Sequence, residues 1–302
     1  MGVLAACAAV AGALGFAAAA VLQQYAAALA PSGATGVRLL LHLARRPVWI
    51  AGVAAMVAGS GLHLLALGNG PLLLVQPLGV GAVVFTLPMA AALHHRRVRP
   101  REWTAAALVA TALCAVLFLL PAHPGGTPAG LGVPALVGAT VAVVAVLGSV
   151  AWACTGAVRA PLFAIGAGTA FGVVSALVRI VLTGGTFGTA QAIAAAAVAP
   201  LSVLGFLLSQ YAYRTGGAAV VLATVTVTDP VAAVLAGALV LGETVPASPV
   251  RWALSAGCAA LIVAGVAVLA RSAAPRPGLV RDGPEPVAAV PAGRLGRGGA
   301  ER

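Results

Sequence analysis

The sequence predicts an all-α membrane protein that crosses the bilayer about nine times in two inverted half-repeats, and three observations lead to that prediction. Hydrophobic residues fill 61% of the 302 positions and charged residues 8%, a balance that polytopic membrane proteins show and a soluble domain of this length does not need. The apolar residues fall into runs of about 20, the length of one helical crossing. The charge comes from 17 arginines and no lysine against six acids, a net +11, with the arginines gathered between apolar runs and at the C-terminal end. That placement signals orientation rather than nucleic-acid binding.

Taken in order, the spans fall near 3–24, 48–67, 71–93, 103–121, 131–154, 161–183, 189–211, 217–241 and 252–270. The first has no positive residues before it and stays apolar for more than twenty residues, which suits a retained span better than a cleaved signal peptide. Between the first two, Val37 to Ala44 is apolar but short and flanked by Arg38, Arg45 and Arg46, so an interfacial or partly inserted helix is expected there rather than a tenth span.

With nine spans, one set of loops carries Arg38, Arg45, Arg46, Arg96, Arg97, Arg99, Arg101, Arg159 and Arg214, together with the basic tail from Arg271. The opposite loops carry Arg251. The positive-inside rule then puts the C-terminus in the cytoplasm and the N-terminus outside, in the plasma membrane. Trp49, Trp103 and Trp252 fall at span ends, where their amphipathic rings are expected to form interfacial belts. Cys7, Cys114, Cys154 and Cys258 stand singly in different segments, without the spacing of a metal or redox site, and read as small packing residues.

Two stretches resemble one another, 71–121 and 217–270: a proline-containing helix, a short loop, then a helix opening with tryptophan. The span count puts the first loop, HHRRVRPREW, inside and the second, GETVPASPVRW, outside, so the copies are inverted. Inverted repeats with interrupted helices are the mark of secondary transporters, whose sites lie near the midplane between the halves. The chain therefore divides into a membrane domain over 1–271, with half-repeats near 1–122 and 130–271, and a tail over 272–302 whose Arg, Pro and Gly content predicts disorder on the cytoplasmic side.

Asp229 carries the chemistry. It stands with Pro230 in the middle of the 217–241 run, where a carboxylate costs several kcal/mol unless a cavity or a partner receives it. Pro230 donates no backbone hydrogen bond and displaces the carbonyl four residues back, so the helix is expected to kink or open there. Thr224, Thr226 and Thr228 stand ready to satisfy the freed carbonyls. One reading is a cation or proton site built from the carboxylate and unwound backbone; the other is a polar packing contact.

In the opposite half, Gln76 and Pro77 follow Pro71 in GPLLLVQPLG, and Gln76 either lines the pathway or bonds between helices. Thr86 and Pro88 mark a second break. His63, inside the second span, suits a proton relay or a hydrogen-bonded packing role. Arg179 stands about one turn from the outer end of its span, near enough to snorkel to the interface, whereas a bridge to Asp229 has to cross roughly 9 Å of depth along the helix axes. Gln23, Gln24 and Tyr25 near the inner end of the first span, with Gln210, Tyr211 and Tyr213 near that of the seventh, suggest a polar vestibule or a set of interfacial residues. The run contains no HExxH, GxSxG or GxxxxGK motif and too few acids for paired-carboxylate catalysis, so no enzyme, cofactor or resident metal is expected.

At these residues the chain resembles the drug/metabolite transporter superfamily, and within it the NIPA-type magnesium transporters with their EamA-like repeat. Leu22 and Gln23, then Pro71, Val75, Pro77, Leu78 and Gly79, are similar to that family's LQ and PLG elements; TDPVAAVLAGALVLGETV, with Asp229, Pro230, Gly242 and Glu243, is similar to the end of an EamA repeat. The resemblance implies solute transport by alternating access. It departs from the magnesium carriers where they hold acids: this chain has Ser60, Gly61 and His63 before the PLG element and Arg96 and Arg97 after that helix. A hydrated divalent cation wants several oxygens and negative charge. The expectation is therefore a carrier of a small molecule or cation, with Asp229 as coupling group, embedded in lipid and free to form a homo-oligomer. A magnesium or other divalent carrier is the alternative, and a membrane scaffold in which Asp229 packs is the reading from another class.

Overall fold

The computed structural model describes residues 2–31, 33–69, 75, 78–119, 132–183, 188–241 and 248–273, and every regular element among them is helical. In chain order they are α1 (Gly2–Ala28), α2 (Gly36–Ala44), α3 (Pro47–Asn69), α4 (Ala82–Leu93), α5 (Pro100–Leu119), α6 (Val133–Ala153), α7 (Arg159–Thr183), α8 (Thr189–Thr215), α9 (Ala218–Ala236) and α10 (Pro249–Ala273). A short 3₁₀ turn, Gly156–Val158, precedes α7, and α9 runs on into a π-helical turn, Gly237–Leu241.

The local sequence explains the starts. Pro47, Pro100 and Pro249 each open a helix, and Pro134 stands in the first turn of α6; proline has no N–H to lose there and its fixed φ already suits the helix. Gly216 and Gly217 divide α8 from α9.

Among the described residues, seven helices are long and apolar enough to cross a membrane: Val3–Ala28, Pro47–Ala66, Val133–Ala153, Gly156–Val181, Thr189–Thr215, Ala218–Val240 and Pro249–Ser272. Their outer faces carry bare apolar side chains: Val57, Leu64, Val146 and Val263 stand more than half exposed. Water would penalise that surface and lipid does not, so the chain is a multi-pass helical membrane protein. Of the predicted span at 71–93 the described residues show an apolar helix over Leu78–Leu93, and that at 103–121 falls on α5; among the described residues neither belongs to the seven. At nine residues, α2 is too short to cross, and it buries Leu39 and Leu43 against its neighbours.

The helices pack as α1 on α3, α4, α8 and α9; α7 on α6, α8 and α9; and α5 on α10, with α4 also meeting α9. Small residues allow the closest of these approaches. A Cβ on Gly15 would lie 2.8 Å from Gly59 Cα, which fixes the α1–α3 crossing. Without a hydrophobic force between helices in lipid, such small-residue contacts supply the packing.

Against expectation, α9 stays helical across Pro230 and α4 across Pro88. A proline removes one ladder bond and leaves the rest of the helix bonded, and these two threonine hydroxyls bond elsewhere than at the freed carbonyl: Thr224 Oγ1 donates to the Val220 carbonyl and Thr228 Oγ1 to the Thr224 carbonyl, each at 2.8 Å. In α4, Thr86 Oγ1 donates to the Ala82 carbonyl at 2.7 Å. The unwound backbone expected at Asp229 is therefore not present; the carbonyl of Thr226, opposite the missing N–H, is what the proline frees.

Candidate functional site

Asp229 lines a cavity of about 400 Å³ whose wall is also formed by Phe16, His63, Gly79, Val80, Ala82, Leu113, Leu222, Val225, Thr226 and Pro230. The wall comes from five helical segments. Phe16 stands on α1, His63 on α3, Gly79 and Val80 just before α4 and Ala82 at its start, Leu113 on α5, and Leu222, Val225, Thr226, Asp229 and Pro230 on α9. Helical periodicity explains the α9 contribution, because positions 222, 226, 229 and 230 share one face while 228 points the other way.

The back of α9 is held by α7. A Cβ on Gly168 would lie 2.8 Å from Thr228 Cβ, and one on Gly172 would meet the Asp229 carbonyl oxygen and Ala232 Cβ. These two glycines thus let α7 lie directly against the backbone of Asp229 while the residue faces the cavity. Among the described residues no ion pair or hydrogen bond reaches the Asp229 carboxylate.

His63 stands in the same cavity. Its ring meets Phe16 edge-on, with centroids 6.2 Å apart, and its Nδ1 is buried without a hydrogen-bond partner. The absent side chain of Gly79 makes room for it: a Cβ there would lie 3.1 Å from His63 Cε1.

A second cavity, of about 380 Å³, lies towards the α8–α9 junction, lined by Gln24, His94, Arg96, Glu102, Arg214 and the first turn of α9 among others. Its fixed feature is Glu102, 2% exposed, which accepts from Arg96 Nη1 at 2.8 Å and from the Arg99 backbone N–H at 2.9 Å. Burial by itself pushes this carboxyl up, but the Arg99 N–H, the Arg96 guanidinium and both arginine charges outweigh it and hold the group below its usual range. Leu87 and Val220 line this second cavity and belong, with Val83 and Ala223, to one buried apolar cluster of α4 and α9.

Several residues singled out in the sequence stand elsewhere. Thr228 faces α7, its hydroxyl committed to the Thr224 carbonyl. Gln210 and Tyr211 belong to a cross-brace rather than an open vestibule. Gln210 is fully buried, donates to Gln23 Oε1 at 2.8 Å and accepts from Trp49 Nε1 at 2.9 Å. Tyr211 stacks on Phe163 and accepts from the Gly36 N–H at 2.6 Å. Trp49, half-buried at the start of α3, packs edge-on against Phe206, and Trp103 and Trp252 are exposed at helix starts. Arg179 is exposed near the end of α7 and is not part of the Asp229 wall. Gln76, Pro77 and Glu243 lie outside the described residues.

Phe16, Leu113, Leu222 and Val225 drew no functional reading from the sequence, because an apolar side chain in an apolar helix looks the same whether it faces lipid, a neighbour or a cavity. Glu102 was equally silent as a loop-end acid, although an acid three residues after Arg99 and six after Arg96 is a legible signal for a local ion pair.

No family model matches the chain, and no solved structure does. It is similar to an uncharacterized protein of Corynebacterium glutamicum, 29% identical over 248 residues that cover 78% of this chain and 84% of the relative.

Proposed function

We propose that this protein is a secondary transporter of the drug/metabolite type, which exposes a midplane site alternately to either side of the plasma membrane and uses Asp229 as its proton- or cation-coupling group. The observation that carries this reading is the cavity at Asp229, whose wall takes Phe16, His63, Gly79, Val80, Ala82 and Leu113 from the first half of the chain and Leu222 to Pro230 from the second. A packing residue would be closed off by a neighbour, whereas Asp229 lines a space.

Three further features support it. The contacts of α4 with α9 and of α5 with α10 pair the members of the proposed inverted repeat. Both α4 and α9 contain a proline, and α5 and α10 begin PREW and PVRW. With α4 and α5 counted as crossings there are nine, which places the N-terminus outside and the C-terminus in the cytoplasm.

Accessibility from both sides is the decisive test, because it needs no known solute. In a background lacking Cys7, Cys114, Cys154 and Cys258, Thr226→Cys is expected to react with a membrane-impermeant thiol reagent applied to either face of sealed vesicles. Reaction from one face alone, or from neither, would sink alternating access. Given a driven solute, Asp229→Asn is expected to slow gradient-coupled uptake at least tenfold with folding intact, and equal rates would refute the coupling role.

A further inference from the structure

We infer that the Asp229 cavity is shaped for a small monovalent organic cation with an apolar body, an ammonium head against Asp229 and a hydrocarbon or aromatic body against Phe16, Leu113, Leu222 and Val225. This names the ligand class of the site proposed above, and only the movement of that ligand rests on the transport reading.

Charge comes first. The cavity wall carries one carboxylate and, among the described residues, no cationic side chain paired with it. A negative group in a low-dielectric space demands a positive counterpart, which excludes anionic ligands and leaves a neutral polar one without compensation for the charge. His63 is the other titratable group in the wall, and its position against Phe16 and Gly79 leaves the Asp229 side of the cavity free of protein cations.

Coordination decides between an inorganic and an organic cation. A divalent ion such as magnesium takes six oxygens in near-octahedral order. The described wall offers the Asp229 carboxylate together with the hydroxyl and freed carbonyl of Thr226, and among the described residues no three His, Cys, Asp or Glu side chains gather into a group. An ammonium head needs far less: one carboxylate and one or two neutral acceptors.

The rest of the wall says what the head is attached to. Phe16, Val80, Leu113, Leu222, Val225 and Pro230 surround the polar spot with apolar surface. A bare or hydrated ion wastes that surface, while a hydrocarbon body buries against it, and the Phe16 ring adds a face on which a cation gains further attraction. At about 400 Å³ the space falls near the small end of ligand pockets, the size for a body of one or two rings.

The test is equilibrium binding to the purified full chain in detergent, with three organic probes of one size class, 2-phenylethylammonium, its neutral isostere 2-phenylethanol and the anion phenylacetate, and with magnesium chloride. The expected result is saturable binding of the ammonium at least tenfold tighter than of the alcohol, none of the anion, and at least a tenfold loss in Asp229→Asn. Leu222→Trp, which fills the space without touching the carboxylate, is expected to abolish binding too. Equal binding of ammonium and alcohol, tighter binding of magnesium, or no saturable ammonium binding overturns the inference; should either variant fail to fold, the contrast among probes on the unaltered protein still decides. Ammonium binding with Thr226→Cys reactive from one face keeps the ligand class and removes transport. Reactivity from both faces without ammonium binding does the reverse.

Discussion

Gly172 and Asp229 meet so closely that the residue most exposed to functional reading is also fixed by packing. A Cβ at position 172 would occupy the place of the Asp229 carbonyl oxygen and lie 2.8 Å from Ala232 Cβ. Neither obstacle is a flexible side-chain end, so α7 and α9 would have to part. We therefore expect Gly172→Val to destabilise the protein by about 1–3 kcal/mol, the usual cost of overpacking, and to disturb the cavity by shifting α9. Gly138→Ala is the matched control, since a Cβ there meets nothing within 4 Å; its thermal midpoint in detergent is expected to hold or rise, because alanine favours a helix over glycine by about 1 kcal/mol. Equal midpoints for the two variants would show that the α7–α9 contact is looser than its geometry states. The sequence pointed at Asp229 because a carboxylate is conspicuous among Val and Ala. It could not show Gly168 or Gly172, since their meaning lies in what faces them across another helix.

Among the elements, two polar fastenings hold the first half to the second on one side of the molecule. Gln210 of α8 joins Gln23 of α1 and Trp49 of α3, and Arg214, at the end of α8, donates to the Pro31 and Ala34 carbonyls at 2.6 and 2.9 Å. Gln210→Leu would leave Trp49 Nε1 and Gln23 Oε1 without partners in a buried place, at a cost of about 1–3 kcal/mol, read as a lowered thermal midpoint; an unchanged midpoint would mean that water or a rotamer change replaces the bonds. At the start of α5, just outside the predicted span 103–121, buried Glu102 is paired with Arg96. The Glu102 carboxyl is held below its ordinary 4.5, so its contribution is fully present above that value and is lost as pH falls through the folded one. The thermal midpoint of the parent is therefore expected to exceed that of Glu102→Gln at pH 7, with the gap closing below about pH 4; a gap that persists in acid would assign the stabilisation to shape rather than charge. Hydropathy made most helices legible, and the nine residues of α2 were read correctly as too few to cross. The inference from Pro230 to a broken helix does not hold, because one missing ladder bond leaves the others in place and α7 packs closely against α9 at that point. The Gln210 brace was invisible for another reason: its partners lie 161 and 187 residues away, and a glutamine in an apolar run announces a hydrogen bond without saying to whom.

For the whole molecule, the arrangement of charge ties topology to the cavities. Arg96, Arg214 and Glu102 line the cavity at the α8–α9 junction, on the side where the arginine-rich loops gather, while the Asp229 cavity meets the start of α4 and lies further along α9; Leu87 and Val220, in the wall of the first, belong to one buried apolar cluster with Val83 and Ala223. If the positive-inside rule governs this chain, the cavity with the arginines is the cytoplasmic one, and a solute leaving Asp229 inward has to part that cluster. Orientation is thus the premise on which any direction of movement depends. Two exposed arginines on opposite predicted sides supply the measurement: Arg97 in the α4–α5 turn and Arg251 in the first turn of α10. In a cysteine-free background on intact cells, Arg251→Cys is expected to react with an impermeant thiol reagent and Arg97→Cys to react only after the membrane is opened. Reaction of Arg97→Cys alone on intact cells would invert the molecule, and reaction of both would mean that an even number of crossings separates the two positions, so that α5 or one of the four helices α6 to α9 that follow it does not span.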